Sequence, residues 1–457
     1  MKRLLIIFVM MALSIMASAD VVGIDGIYYD LDINTKRATV TSKPDYSKYS
    51  GSIDIPVTIT YGDSFYDVTE IGINAFYRCG ELVSVSIPDG VKKIELNAFW
   101  GCGIKDIVIP NSVTYIGQSA FGSCTELTSV TMGKRLDFVE ESAFTNCTKL
   151  EKVIVKDLAS WCLIRFESPS SNPLYYARHL YDDNNAEITE LVIPDGVERI
   201  SDNAFLRCEN IKSIAIPNSV KEIGCYAFYG LEKLKKVDIP YGVTKLNGFS
   251  YCTNLTSVSI PNSVETISNL AFSYCKALSA IEIPNSVWLI SENAFIGCES
   301  LVSITLGSGV RRIGVDVFDK CKELADIFCY AESVPNTYDD TFDKSIIKNV
   351  TLHVPESSVN DYATKDPWNG FKEIVALPSS GFGYVSSGKT MVKYDDGQLT
   401  VEGIDDGQTV SIYSLNGEKY GSYVGKNGAV RIKTCIQPGS VVVVKIGEKS
   451  VKVIIKK

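Results

Sequence analysis

AFSYCKALSAIEIP, residues 271–284, closes on an alternating run and a proline, and the same phrase returns along most of the chain. Strand alternation sends Ile281 and Ile283 to one face and Ala280 and Glu282 to the other. Pro284 has no N–H for a further ladder rung, so the strand ends there. Asn285 and Ser286 follow as turn formers, because their side chains bond nearby backbone groups. Val287 then turns inward again. The unit predicted is one coil: corner, short connection, strand, corner.

Working outward, a Phe recurs at Phe76, Phe99, Phe121, Phe144, Phe205, Phe228, Phe249, Phe272, Phe295 and Phe318, with steps mostly of 23 residues. A fixed period of this size marks a solenoid. No single coil can bury its Ile, Phe and Leu alone, whereas a stack buries them against like neighbours. Prolines end the equivalent strands at Pro88, Pro110, Pro217 and Pro261. The fold class expected is a β-rich solenoid with an N-terminal β cap and a C-terminal antiparallel β-sandwich.

Nine cysteines share one repeat position: Cys79, Cys102, Cys124, Cys147, Cys208, Cys252, Cys275, Cys298 and Cys321, with Leu231 in the remaining aligned unit. A position that accepts Leu is apolar. Stacked rungs about 4.8 Å apart fall within disulfide range, but parallel Cβ vectors and an odd count disfavour pairing. The expectation is a ladder of buried thiols, each a small hydrophobe with a weak S–H donor for a corner carbonyl. The spacing leaves open any pairing among Cys162, Cys225, Cys329 and Cys435.

Residues 1–19 combine Lys2 and Arg3, an apolar run and Ala17-Ser18-Ala19, the pattern of a secretory signal cleaved after Ala19. That run is too short to span a membrane comfortably, so no membrane span is expected in the mature chain. Residues 20–67 read as the N-terminal β cap and 68–377 as the solenoid. Within it lie an expanded repeat at about 151–192 and a terminal cap at about 325–377. The Ser- and Gly-rich stretch 378–390 reads as a linker. Residues 391–457 alternate with short turns, as in a small β-sandwich.

A net charge of −9 and the lack of a basic stripe exclude the usual nucleic-acid footprint. The two histidines, His179 and His353, lack metal-ligand spacing. No phosphate loop, nucleophile elbow or zinc-protease motif occurs. Cys162 and His179 share the expanded repeat and can be drawn as nucleophile and base, but a buried Cys and a loop His is the simpler reading. The chain reads as neither an enzyme nor a cofactor protein, and no metal, cofactor or catalytic residue is assigned.

The corner IPNSV or IPDGV, the AFxxC core and the LxxVxIP strand resemble the BspA-like leucine-rich repeat over about Val68 to Leu377. The C-terminal VSIYSLNGE and KVIIKK are similar to type A sorting domains of secreted Bacteroidetes proteins, although PGSVVVVKIG stands where that family has a Gly and an aromatic. The first resemblance implies a secreted or surface-displayed protein that binds host or microbial macromolecules. Adhesion to extracellular protein is the leading expectation, with glycan binding for nutrient capture or surface structure as the alternative.

The outward strand positions are hydroxyl-rich, as at Ser84, Ser129, Ser213, Ser257 and Ser303, and lack the Trp, Tyr and Arg that anchor interfaces. The candidate ligand-binding residues are therefore the aromatics directly or two places after their Phe, namely Tyr77, Trp100, Tyr229, Tyr251 and Tyr274. To these are added Trp161, Tyr175 and Tyr176 of the expanded repeat. Partial burial of the first five between neighbouring loops is the alternative.

Overall fold

The computed structural model describes residues 20–377 and, beyond them, 382–384, 391–395, 398–414, 419–433, 441–447 and 449–454. The expected signal with its cleavage after Ala19, most of the 378–390 stretch and Cys435 lie outside the described residues. The chain divides into two compact units, Met1–Ile188 with Asn203–Cys208, and Thr189–Asp202 with Glu209–Lys457. Both contain β-solenoid coils, and the second also includes the C-terminal antiparallel sheets.

The coil is well seen in the second unit. Phe272, Cys275 and Leu278 are fully buried, and the strand Ala280–Ile283 buries Ile281 and Ile283 while exposing Glu282. Pro284 ends the strand, and the Val287 N–H donates to its carbonyl at 3.1 Å to close the corner. Val287 and Ile290 then return to the core, Ile290 in the two-residue strand Leu289–Ile290. Each coil thus carries a longer and a shorter strand. The long strands Ala280–Ile283, Ser303–Leu306, Asp326–Cys329, Thr351–Val354 and Glu373–Ala376 form one parallel sheet. The short strands Lys245–Leu246, Thr266–Ile267, Leu289–Ile290 and Arg312–Ile313 form another.

Phenylalanine rings stack as a column within each unit. In the first unit Phe76, Phe99, Phe121 and Phe144 stack at 5.0, 5.1 and 5.1 Å between centroids. In the second, Phe228, Phe249, Phe272, Phe295 and Phe318 continue the pattern at 5.1 to 6.0 Å. Phe342 adds a rung 6.1 Å beyond Phe318, and Trp368 and Phe371 meet it edge-on at 70° and 74°, which ends the column.

In the first unit the strands Asp20–Ile24, Ile27–Asp32 and Arg37–Thr41 form an antiparallel meander. Tyr49 takes the place of a Phe, 5.0 Å from Phe76, and its hydroxyl donates to the Thr41 carbonyl at 2.8 Å. The first coil starts earlier than the expected boundary. Gly51–Asp54 already pairs in parallel with Leu82–Ser86, and Ile53-Asp54-Ile55-Pro56 is the same I-x-I-P ending that closes later strands.

In the expanded repeat, Arg165–Phe166 pairs with Phe138–Val139 and Leu180–Tyr181 with Lys152–Val155, so both ladders continue through it. The extra residues form two short helices, Leu158–Leu163 and Leu174–Ala177. Asp157 caps the first by accepting the Ser160 N–H at 2.6 Å. Fully buried Asn172 donates to the carbonyls of Asn203 and Ala204 and accepts from the Leu174 N–H, which pins the second.

The C-terminal part comprises two four-stranded antiparallel sheets sharing an apolar core that includes Val392, Leu399, Val410, Ile432 and Val444. Phe382–Tyr384, placed in the linker by its Ser- and Gly-rich neighbours, instead pairs with Met391–Asp395 as an edge strand.

Candidate functional site

The corner carrying each Phe sets where outward residues stand. Left-handed residues lie two before and two after it, as with Leu270 (φ 59°) and Tyr274 (φ 57°) around Phe272, and Asn293 (φ 57°) and Gly297 (φ 72°) around Phe295. Alternate N–H groups then point at the neighbouring coil, Phe272 to the Ala294 carbonyl at 2.9 Å and Tyr274 to that of Ile296 at 2.7 Å. The backbone is pinned on both sides of the Phe, so the side chains after it form ordered rows.

Five of the candidate aromatics fall into two such rows. Tyr77 stacks on Trp100 at 5.1 Å, with the Arg78 guanidinium 5.5 and 5.2 Å from the two rings. Trp100 lies over Gly122, where a Cβ would come within 2.8 Å of the indole. Tyr229, Tyr251 and Tyr274 follow each other at 5.1 and 4.7 Å, and Tyr274 lies over Gly297, where a Cβ would meet the ring at 2.6 Å. Lys320 sits 6.0 Å from the Tyr274 centroid. Within each row the ring faces turned toward the next coil are covered by the next ring or by glycine backbone, so the inner rings present mainly edges and hydroxyls. Tyr251 is exposed at 39%, and the other four are half-buried.

In the expanded repeat Tyr175 and Tyr176 meet edge-on at 5.1 Å, half-buried, with Arg207 5.0 Å from the Tyr175 ring. Trp161 is corrected: at 1% exposure it offers a ligand no surface. Its indole N–H donates to the Ala204 carbonyl at 2.9 Å and its ring packs on Phe166 at 5.4 Å, so it anchors the insertion to the core.

The nine ladder cysteines are all buried and unpaired by disulfide. Seven of the thiols donate to the Phe carbonyl of the preceding coil, among them Cys102 to Phe76 at 2.9 Å, Cys124 to Phe99 at 3.0 Å, Cys275 to Phe249 at 3.2 Å and Cys298 to Phe272 at 3.3 Å, whereas Cys79 faces the Tyr77 carbonyl of its own coil. Burial pushes the Cys124, Cys252 and Cys321 thiols up to about 12, which keeps them neutral and unreactive. Cys225 differs, being exposed, with its sulfur accepting from the Asn247 amide.

Cys162 is buried on its short helix and pushed up to about 12 by that burial. His179 is held by Glu187, 2.7 Å from its Nδ1. The two groups thus have separate engagements. Among the described residues no group of three or more His, Cys, Asp or Glu side chains is arranged to hold a metal ion. No helix among them is long and apolar enough to cross a membrane.

On the outward strand face of the first unit, Ser129, Lys152, Tyr181 and Asn185 line an open hollow of about 390 Å³. Lys152 spans it, donating to Asn185 at 2.9 Å and lying 4.6 Å from the Tyr181 ring.

One cluster escaped the sequence reading. In the second unit Trp288 is 44% exposed, and its carbonyl accepts the N–H groups of Arg311 and Arg312 at 3.0 and 3.1 Å. Leu289 pairs with Arg312, and the Arg312 guanidinium donates to the hydroxyl of Tyr338, which is 41% exposed. A signal was present: Trp288 stands directly after the inward Val, where other coils place Lys92, Thr114, Lys221, Thr244 and Glu265.

A family model described as a BspA type leucine rich repeat region matches in 6 copies, over residues 57–162, 181–248 and 245–366. No curated protein matches the chain by sequence. The pneumococcal vaccine antigen PcpA is similar in structure with a TM-score of 0.50 at 20% identity, over 79% of this chain and 99% of that one. A leucine-rich repeat protein from Bacteroides ovatus gives 0.40 at 23% identity, over 78% and 100%. A leucine rich cell surface protein from Faecalibacterium prausnitzii gives 0.42 at 22%, over 79% and 95%. At these identities the likeness is one of fold.

Proposed function

Because the chain belongs to the BspA-type leucine-rich repeat family, we propose that it is a non-catalytic, exported binding protein that engages extracellular protein through the outward positions of its coils. One observation carries this reading: the interior repeats while the exterior does not. Val264, Val287 and Val310 are all buried, whereas the positions that directly follow them are Glu265, Trp288 and Arg311. A rigid backbone pinned by ladders and displaying varied side chains is suited to recognition. The ladder thiols are buried within the coils.

Export is supported by the signal-like residues 1–19, and residues 382–457 are read as a display or sorting module on the strength of the resemblance in VSIYSLNGE and KVIIKK. Glycan capture through the aromatic rows is the competing reading. The covered ring faces count against it, since a sugar stacks on a face and not on an edge.

The test is a binding screen of the full-length chain against purified extracellular matrix proteins and a glycan array, beside a variant lacking 378–457. The deletion starts there because Phe382–Tyr384 pairs with the terminal sheet. Protein-selective binding that survives the deletion is expected. Glycan-selective binding, or loss of binding with the deletion, would move the function to the aromatic rows or to the terminal module.

A further inference from the structure

We infer that the Trp288, Leu289, Arg311, Arg312 and Tyr338 cluster is a docking site for a segment of partner protein that combines an apolar side chain with carboxylates. The inference rests on the protein-binding reading above and names its site and partner chemistry.

Interface anchors are drawn from Trp, Tyr and Arg seated on apolar neighbours, and here all three types occur on or directly beside one edge of the short-strand sheet in one unit: Trp288 before Leu289–Ile290, Arg311 and Arg312 at Arg312–Ile313, and Tyr338 two residues after Asn336, which bridges to Arg312. Thr266, Leu289 and Arg312 are cross-strand neighbours in register. Trp288 stands between Glu265, whose carbonyl accepts its N–H at 2.9 Å, and Arg311, whose N–H donates to it. The ladder fixes these backbone positions before any partner arrives, so little ordering is required on binding.

Charge decides the partner. In a chain of net charge −9, Arg311 and Arg312 are both exposed and neither has a carboxylate partner among the described residues. Arg165, on a short strand of the first unit, shows the contrast. It lies 2.7 Å from Asp137 and 5.1 Å from the Phe138 ring, so its charge is already answered. The Arg312 guanidinium is held by Tyr338 at a cation–π distance of 5.4 Å, which orients it without neutralising it. Two unanswered guanidiniums, the Arg312 one oriented by Tyr338 and the Arg311 one carried on the backbone rung next to the exposed Trp288, call for carboxylates placed next to an apolar group.

A polyanionic glycan fits less well. Glu265 lies in the row of Trp288, and Asp339 and Asp340 follow Tyr338 directly in the chain, so negative charge flanks the cations. A uniform polyanion is repelled by these carboxylates, whereas a protein segment sets its own charges only where the arginines are. Leu289 and Trp288 also gain from an apolar side chain that such a glycan lacks.

The experiment uses the full-length chain and a fluorescein-labelled synthetic 12-residue peptide in which two neighbouring Glu are flanked by Leu and Phe and the remaining positions are Ser and Gly, followed by anisotropy. Its counterpart with Lys for Glu is the charge control, and heparin is the polyanion without apolar groups. The expected result is saturable binding of the Glu peptide alone. It should weaken about thirtyfold or more, the scale of an anchor contact, in Arg311→Glu and in Trp288→Ser, two exposed positions whose replacement leaves the ladder intact. No peptide binding, equal binding of the Lys peptide, unchanged binding in both variants, or binding of heparin in place of the Glu peptide would each overturn the inference. The same variants in the matrix-protein screen separate the two levels. Matrix binding that persists in both variants defeats this site and leaves the protein-binding reading standing, while absence of any matrix binding by the unaltered chain defeats that reading itself.

Discussion

Tyr251 and Tyr274 hold φ of 60° and 57°, a left-handed conformation that costs a residue with a Cβ about 1–2 kcal/mol. Coils elsewhere put glycine at that position, at Gly101, Gly230 and Gly297. The cost is offset by stacking: Tyr251 lies 4.7 Å from Tyr274, and Tyr274 rests on Gly297. Gly297 therefore answers two demands, its own φ of 72° and the absence of a Cβ beneath the ring. Gly297→Ala should lower stability by roughly 2 kcal/mol, the left-handed penalty plus displacement of Tyr274. An unchanged urea midpoint would mean that the tyrosine row is not seated on the backbone there.

Among elements, the corner is the unit of stability. Phe249 is fully buried between Phe228 and Phe272, at 5.1 and 5.8 Å, and its carbonyl accepts the Cys275 thiol from the next coil. Phe249→Ala should cost about 3 to 5 kcal/mol, because the pinned corners on either side cannot collapse into the cavity. A negligible shift in unfolding midpoint would contradict the inward assignment. The insertion follows the same logic with different residues: Trp161 and Asn172 both end on the Ala204 carbonyl, so two short helices are held by buried polar contacts in place of a repeated corner.

For the molecule as a whole, stability is a sum over neighbouring coils, and the thiol ladder gives that sum a pH dependence. Burial pushes Cys124, Cys252 and Cys321 up to about 12, and Tyr49 likewise to about 12. The folded chain then holds protons that the unfolded chain releases above about pH 9 for the thiols, so these groups' contribution is complete below that pH. It is lost progressively as pH rises from about 9 towards 12. The urea midpoint should fall across this window, and less steeply in a Cys124→Ala, Cys252→Ala variant. A midpoint indifferent to pH up to 11 would show that the thiols are not held neutral in a dry core.

The repeat phrase by itself determined the coil. Period, alternation, Pro corners and an apolar cysteine position are local facts, and every neighbour in the stack repeats them, so Ile281, Phe272, Cys275 and Val287 could be placed without any tertiary knowledge. The opening rung was legible too, in Ile53-Asp54-Ile55-Pro56, although its surroundings resemble a cap. What only the tertiary structure decided is how outward residues stand. Whether an aromatic faces solvent depends on what lies one coil away, and Trp100 and Tyr274 are covered because Gly122 and Gly297 lie beneath them. Trp161 is buried by a carbonyl 43 residues on, a distance no period encodes. Trp288 stays open because its neighbours across the ladder are Glu265 and Arg311, charged side chains that remain in water rather than closing over it. Interior positions obey the repeat because burial asks the same of each, and exterior positions take their meaning from the particular neighbours that stacking supplies.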